Sequence, residues 1–523
     1  MTRAKRPNVV LFVSDQQRAD TMPGVRRAPG IRTPHLSWLA QRGTLFRSAF
    51  CTTPMCSPAR ASLLSGYYPH TTGMVSNHQE RPVSDELHLS PGVRVLADHL
   101  APAGYACAYT GKWHLGTGAD RRGVTAFATH SGDYDVDGPE QNEILRFARR
   151  VGTRIEGKAL GYDPDPEDYD PRTQVGASLL PLAWHPSTQD AARAAGFIRG
   201  RAGASDPFCL VYSCHEPHPP FVSPRPFDRM YAGLRDALPL PETRRNEDGP
   251  RLLRHRPDWQ LRPAAGLSDD DLRAMWAAYY GAVSYVDHLV GLLLAALVET
   301  DQLADTLFVY TADHGEMLGA HGLTHKGALL YDDLTNIPLL VTPPGGLHAP
   351  HETRRVVSHV DLAPTVLSWC GVETPADAQG ADLRPLVCAE SEASPHPDGG
   401  VALEFHSSNW GERPAPLRGW RTEGWKYVET VAGDDELYDL AADPLEQRNL
   451  IDAPAAAGDR ERARAQLRAW MARTGDAWPA VPLPDRDVPK APGRPGDHGS
   501  GCGSRRRTRS VRPGRPCDSR LLS

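Results

Sequence analysis

Two cysteines, two prolines and an arginine crowd the stretch CTTPMCSPARASLLSG, from Cys51 to Gly66. Pro58 suits the first turn of a helix, where its missing N–H is no loss, and Gly66 supplies a stop, so Ala59–Ser65 is predicted helical. Cys56 then sits at the positive end of that helix beside exposed backbone N–H groups, with Arg60 four residues on projecting from the same face. A thiol so placed is chemically usable; the plainer alternative is a small buried cysteine and a surface arginine. Asp15-Gln16 and Asp313-His314 each follow a strand-like run directly. Two carboxylates, an amide oxygen and an imidazole make a shell for a divalent metal; either pair alone more easily fits a loop cap, and Cys56 in the same chain turns the balance toward the metal.

Three more groups stand at comparable positions. Lys112 and His114, in TGKWHLG, are two apart and would point to the same side if extended. HEPHPPF, His215 to Phe221, cannot be helical, and holds His218 between Pro217 and Pro219. Lys326, in HGLTHKG, comes thirteen residues after Asp313. Each alone fits an ordinary loop, His215 most easily, but five strand ends carrying the same kind of chemistry argue for one site.

The elements that must position these groups alternate in type. Asn8–Ser14 (NVVLFVS) is almost continuously apolar, as expected of a strand buried on both faces of a parallel sheet. Thr33-Pro34 offers an N-cap and a compatible proline for a helix reaching about Arg42, with Gly43 ending it. Tyr105–Thr110, Pro207–Ser213, Thr306–Tyr310 and Ile337–Val341 read as further strands. Asp269–Val298 reads as one long helix, or two joined near Gly281, and Asp361–Trp369 as another. This alternation predicts an α/β domain over residues 1–373, with a large, mostly parallel sheet flanked by helices and a ligand crevice at the carboxyl ends of its strands.

From about Thr374 the texture changes to short strands, Val401–Phe405, Leu417–Arg421, Trp425–Glu429 and Glu436–Leu440, followed by a helix near Arg460–Arg473. A smaller α+β domain on an antiparallel sheet is predicted for 374–480. Residues 481–523 are rich in Pro, Gly and Arg without apolar periodicity, and are expected to be a disordered basic tail.

Charge sharpens the functional reading. From Lys490 onward nine Lys/Arg face two Asp, so the tail carries +7 and the body −13 of a formal charge of −6. Such a body is no nucleic-acid binder, and any anionic ligand must be held by a local cation cluster. Nine cysteines without a CxxC pair argue against a disulfide framework and a structural zinc site. The apolar run Leu289–Val298 is about half of the ~20 residues a membrane span needs, and the N-terminus passes from basic residues straight into a strand with no cleavage-site pattern. The expectation is a cytoplasmic protein with neither membrane nor nucleic-acid partners.

With these residues in view, the chain resembles the sulfatase family of the alkaline-phosphatase superfamily. CSPARASLLSG fits its C-x-P-x-R signature, GKWHLG its second short motif, and TADHGEMLGAHGL with the following KG its metal-and-lysine segment, while ELYDLAADPLEQRNL is similar to its C-terminal ending. The resemblance runs from about Asn8 to Leu450. It implies that Cys56 is oxidised after translation to formylglycine by a formylglycine-generating enzyme, and that the aldehyde hydrate is the nucleophile. It implies one divalent metal at Asp15, Gln16, Cys56, Asp313 and His314. Arg60 and Lys112 would hold the hydrate, His218 and Lys326 assist the departing alcohol, and His114 act as the base that releases sulfate. Arg60, Lys112 and Lys326 give the metal-loaded hole a net +3, suited to an anionic small-molecule or saccharide sulfate ester.

Two departures from the commonest family pattern matter. The first pair is Asp-Gln, and the later one is Asp-His rather than Asp-Asn. Calcium is the family's expected metal, but fewer carboxylates and a nitrogen ligand bring in Mn²⁺ as the alternative. The same shell is similar to that of phosphonate monoester hydrolases and related phosphodiesterases that use formylglycine, which makes that activity the alternative to sulfate-ester hydrolysis. Asn77 and Thr110 are candidates for hydrogen bonds to a diester, and Glu404 and His406, with the loops Arg121–Pro171 and Asp228–Leu267, for shaping the pocket. A non-catalytic binding protein would have lost a cation or a metal ligand, and none is missing.

Overall fold

Apolar side chains on both faces of Asn8–Ser14 (β1) demand cover above and below, and the fold supplies it with two helical layers around one large sheet. In the computed structural model the described residues are 6–24, 30–77, 89–90, 92–116, 123–124, 126–128, 169–178, 180–245, 262–406, 416–431 and 433–478. The described residues all belong to one compact unit. The tail expected to be disordered, 481–523, lies outside the described residues, as does most of the loop Arg121–Pro171.

In chain order the main elements are helix α1 (Pro34–Ala40), strand β2 (Thr44–Phe50), helix α2 (Cys56–Ser65), strands β3 (Ala106–Gly111) and β4 (Ala126–Ala128), helix α3 (Pro186–Gly200), strand β5 (Phe208–Ser213), helix α4 (Asp269–Glu299), strands β6 (Thr306–Ala312), β7 (Asn336–Thr342) and β8 (His351–Thr353), and helix α5 (Leu362–Cys370). The sheet has nine strands, ordered β8-β2-β7-β6-β1-β5-β3-β4, with Val357–Ser358 also pairing β2. β1 lies parallel to β5 and β6, and β3 parallel to β5 and β4. β7 is the exception, antiparallel to both β6 and β2. The architecture is therefore the α/β one expected, mostly parallel and flanked by helices.

Val9, Leu11 and Val13 pack against α2 and α5, whereas Val10 and Phe12 pack against α1, α3 and α4. Burying each such side chain contributes roughly 1.5–3 kcal/mol. α4 is one unbroken helix through Gly281, and the glycine serves a close approach, since a Cβ there would lie 2.2 Å from the Phe227 carbonyl oxygen. By length and hydropathy α4 would suffice to cross a membrane, but 72% of its most apolar window is buried inside the fold. Thr33 precedes α1 without making the expected side-chain cap; its carbonyl accepts from Ser37 Oγ at 2.7 Å instead.

The C-terminal part carries a second sheet, antiparallel and four-stranded, of β9 (Gly400–Phe405), β10 (Leu417–Thr422), β11 (Trp425–Thr430) and β12 (Glu436–Asp439), with helix α6 (Ala457–Thr474) against it. Its first strand reaches the segment before α2, where Glu404 N donates to Thr52 O at 2.7 Å.

Candidate active site

Helix α2 begins at Cys56 and ends at Gly66, whose φ of 81° is open to glycine at little cost. Every residue of this helix is buried, so Cys56 is presented at a helix N-terminus inside the protein. Lys326 Nζ lies 2.8 Å from Cys56 Sγ, His314 Nε2 3.3 Å and Asp15 Oδ1 3.8 Å. His114 and His218 also hydrogen-bond the thiol. Burial alone would raise the pKa of Cys56, but Lys112, Lys326 and His314 together hold it well below the usual thiol range. Cys51, five residues away, shows the contrast: burial and then Asp313 push its thiol up, and the opposing pull of Lys426 does not offset them.

The carboxylates are held by a buried fork. Arg60 Nη2 donates to Asp15 Oδ2 and Nε to Asp313 Oδ2, both at 3.0 Å, while Nη1 reaches Lys112 O at 3.0 Å and Ser213 Oγ at 2.6 Å. Lys112 Nζ adds a bond of 2.6 Å to Asp15 Oδ2. Asp15 is consequently held well below the carboxylate range despite its burial, with Lys112 the foremost cation responsible. Asp313 Oδ1 accepts the backbone N–H groups of Gln16 and His314, each at 2.9 Å. Both cations of this cluster thus brace acids as well as adding positive charge.

The residues present fit a divalent ion. Ligand atoms of Asp15, Cys56, Asp313 and His314 all lie within 4.8 Å of one another. Asp15 gives Oδ2 to the cations and keeps Oδ1. His314 Nδ1 pairs with Gly315 O at 2.9 Å, which leaves Nε2 as the ligating nitrogen. Gln16 Oε1 is buried without a hydrogen-bond partner, an acceptor suited to a cation. Gln16 has φ 62°, and its carbonyl accepts from Tyr279 Oη at 2.8 Å.

His218 is half-buried and directs Nδ1 at the Pro219 carbonyl. Burial first, and Lys326 second, hold its pKa below the ordinary value. His215 lies against it, ring centroids 4.6 Å apart. His114 is not extended as expected but takes φ 56°, and in that conformation still reaches Cys56. Asn77 Oδ1 accepts from Ser57 N at 3.0 Å, bracing the start of α2. Glu404 is enclosed between His70 Nδ1 at 2.6 Å and His406 Nε2 at 2.7 Å. Thr110 is buried within β3. Ser213, Tyr279 and Glu316 were not anticipated; only Glu316 had a local cue, three residues after Asp313 in ADHGEM.

The model of the Sulfatase family matches residues 7–372. The chain belongs to the sulfatase family. A second model, N-sulphoglucosamine sulphohydrolase C-terminal, matches residues 319–473 of this sulfatase. It is 31% identical to the uncharacterized sulfatase YidJ of Escherichia coli over 90% of its own length and 88% of that protein. It is 28% identical to the choline-sulfatase of Rhizobium meliloti, covering 87% and 84% of the two chains. The crystal structure of phosphonate monoester hydrolase of Agrobacterium radiobacter superposes with a TM-score of 0.72 at 25% identity, covering 90% of the sulfatase and 96% of that chain. The sulfatase is a sulfuric ester hydrolase, an enzyme of the alkaline-phosphatase superfamily.

Proposed function

We propose that this sulfatase cleaves sulfate monoesters with formylglycine made from Cys56 and a divalent ion held by Asp15, Gln16, Asp313 and His314, releasing sulfate and an alcohol. The observation that carries the proposal is the convergence of Lys326, His314 and Asp15 on one buried sulfur at a helix N-terminus. Cys56 Sγ stands where the reactive oxygens of the matured residue would lie. As its hydrate, formylglycine supplies one hydroxyl to attack sulfur and a second to release sulfate afterwards. The ion supplies Lewis-acid polarisation of the sulfuryl oxygens and favours ionisation of the nucleophile.

The chain's own groups do the rest. Arg60 holds Oδ2 of both carboxylates and so fixes their orientation at the ion site, leaving Asp15 Oδ1 clear of the cations. Lys112 and Lys326 offset charge developing on the sulfuryl group. His218, with Nδ1 committed to Pro219, offers Nε2 toward the leaving oxygen, and His114 takes the proton whose loss frees sulfate. The catalytic machinery falls in residues 1–373, with 374–480 as a subdomain that adds Glu404 and His406 near the Cys56 segment. The substrate class is a small anionic sulfate ester or a sulfated saccharide, and maturation needs a formylglycine-generating enzyme.

Phosphonate monoester or phosphodiester hydrolysis is the second reading, favoured by the Asp-Gln and Asp-His pairs and by the likeness to phosphonate monoester hydrolase. A side-by-side assay of an aryl sulfate and an aryl phosphonate monoester decides between them; a higher kcat/KM for the phosphonate would put phosphonate hydrolysis first.

Lys326→Ala is expected to lower kcat by roughly 10²–10³, about 2.7–4 kcal/mol, as for one lost preorganised electrostatic contact. The loss should shrink for substrates with very good leaving groups. A rise in KM alone, equal across substrates, would reduce Lys326 to an anion-binding residue.

Chelation should abolish turnover while far-UV circular dichroism stays unchanged, because the ligands come from two strands already joined through the sheet. Activity indifferent to chelator, with no stoichiometric Mn²⁺ or Ca²⁺ by elemental analysis, would remove the ion from the mechanism.

A further inference from the structure

Glu316 is fully buried, and its carboxylate collects three donors from two parts of the chain. Oε1 accepts Leu318 N at 2.9 Å and also His325 N, while Oε2 accepts the side-chain amide of Gln16. The loop it spans is an unfavourable one. Leu318, His321 and His325 take φ of 44°, 51° and 71°, left-handed conformations that cost a non-glycine residue roughly 1–2 kcal/mol each. Glu316 closes the base of that loop through the two backbone N–H groups, and Lys326, which touches Cys56 Sγ at 2.8 Å, is the next residue after His325. Arg18 adds a second brace, from Nη1 to the Glu316 carbonyl and from Nη2 to Asp333 at 2.6 Å.

The amide of Gln16 has two ends, and only its oxygen can ligate a cation. Glu316 Oε2 accepts from the NH₂ end, so the carboxylate meets the nitrogen of Gln16 and not its oxygen. Oε1 is then the free end, buried and without a partner, on a residue whose own N–H meets the Asp313 carboxylate at 2.9 Å.

We infer that Glu316 is a positioning residue that turns the Gln16 oxygen, rather than its nitrogen, toward the metal and ties that ligand to the loop bearing Lys326. The inference rests on the metal reading above. Among the described residues, no other carboxylate holds both the Gln16 side chain and this loop.

The test measures ion retention by full-length protein loaded with Mn²⁺ or Ca²⁺, as the chelator concentration that withdraws half of the ion. Glu316→Gln is expected to weaken retention by about 10–100-fold, the range typical of losing a partner of a metal ligand, because an amide facing an amide permits the Gln16 side chain to flip. The exchanged pair, Gln16→Glu with Glu316→Gln, restores a matched donor and acceptor and should recover most of that loss. Wild-type retention in Glu316→Gln overturns the inference. So does a double variant no better than the single one, which would mean a general structural role. Should the single variant not fold, the exchanged pair decides: retention near wild type supports the assignment, and weak retention or failure to fold overturns it. A wild-type protein that retains neither ion sinks the metal reading first, and this inference with it.

Discussion

Cys56→Ala should lower turnover of sulfate esters by at least about 10⁴-fold, the scale on which removing a covalent nucleophile acts. The substitution leaves the Lys326, His314 and Asp15 groups in place around position 56, so binding and charge stabilisation persist and only the attacking group is gone. The variant should still unfold cooperatively, since α2 keeps its apolar contacts through Ala61, Leu63 and Leu64. Mass spectrometry supplies the complementary result. The tryptic peptide Ser48–Arg60 of active enzyme should lack the sulfur of Cys56 and retain that of Cys51, so fragmentation within one peptide carries its own control. Active enzyme with both thiols intact, or an alanine variant within tenfold of wild type, would end the formylglycine mechanism.

Arg60→Met should cost about 3–5 kcal/mol of stability, the range for removing one partner of a buried ion pair. Methionine replaces much of the volume, so the loss is electrostatic: Asp15 keeps Lys112, but Asp313 loses its cation while remaining fully buried. Adding Asp313→Asn to the same chain should restore part of the loss. Urea unfolding in the presence of chelator reads this directly, because a bound ion would offset the uncompensated charge. A loss below about 1 kcal/mol would show that the Arg60 fork braces nothing.

Much of the site was legible because its residues stand where chain direction dictates. Asp15 follows β1, Asp313 follows β6 and Lys112 follows β3, and strands that pair in parallel deliver their carboxyl ends to one side. The helix at Cys56 was likewise written locally, in Pro58 and Gly66. What the sequence hid depends on distant partners. β2 was missed because TLFRSAF carries Arg47 and Ser48 in mid-strand, both half-buried where the register with β7 shifts and the pairing with β8 has ended. Gly281 left one helix or two open for Asp269–Val298; it lies within one helix and accommodates the carbonyl of Phe227. The bond from Arg60 to Asp313 and the pairing of the Gln16 side chain with Glu316 follow from contacts across 253 and 300 positions, which no local propensity encodes.

The strand order of the main sheet also sets a clock. β1 occupies the middle, and one of its two neighbours, β6, ends at Ala312, so the crevice holding Cys56 cannot close until that strand has left the ribosome. At about 5–20 residues per second, the roughly 250 residues between Cys56 and Ala312 take some 13–50 s to synthesise. During that interval the peptide around Cys56 is open to another enzyme; once folding is complete the residue is 1% exposed. On the formylglycine proposal, conversion of the thiol would run in competition with folding, and the matured fraction should rise when elongation is slowed and fall when it is hastened.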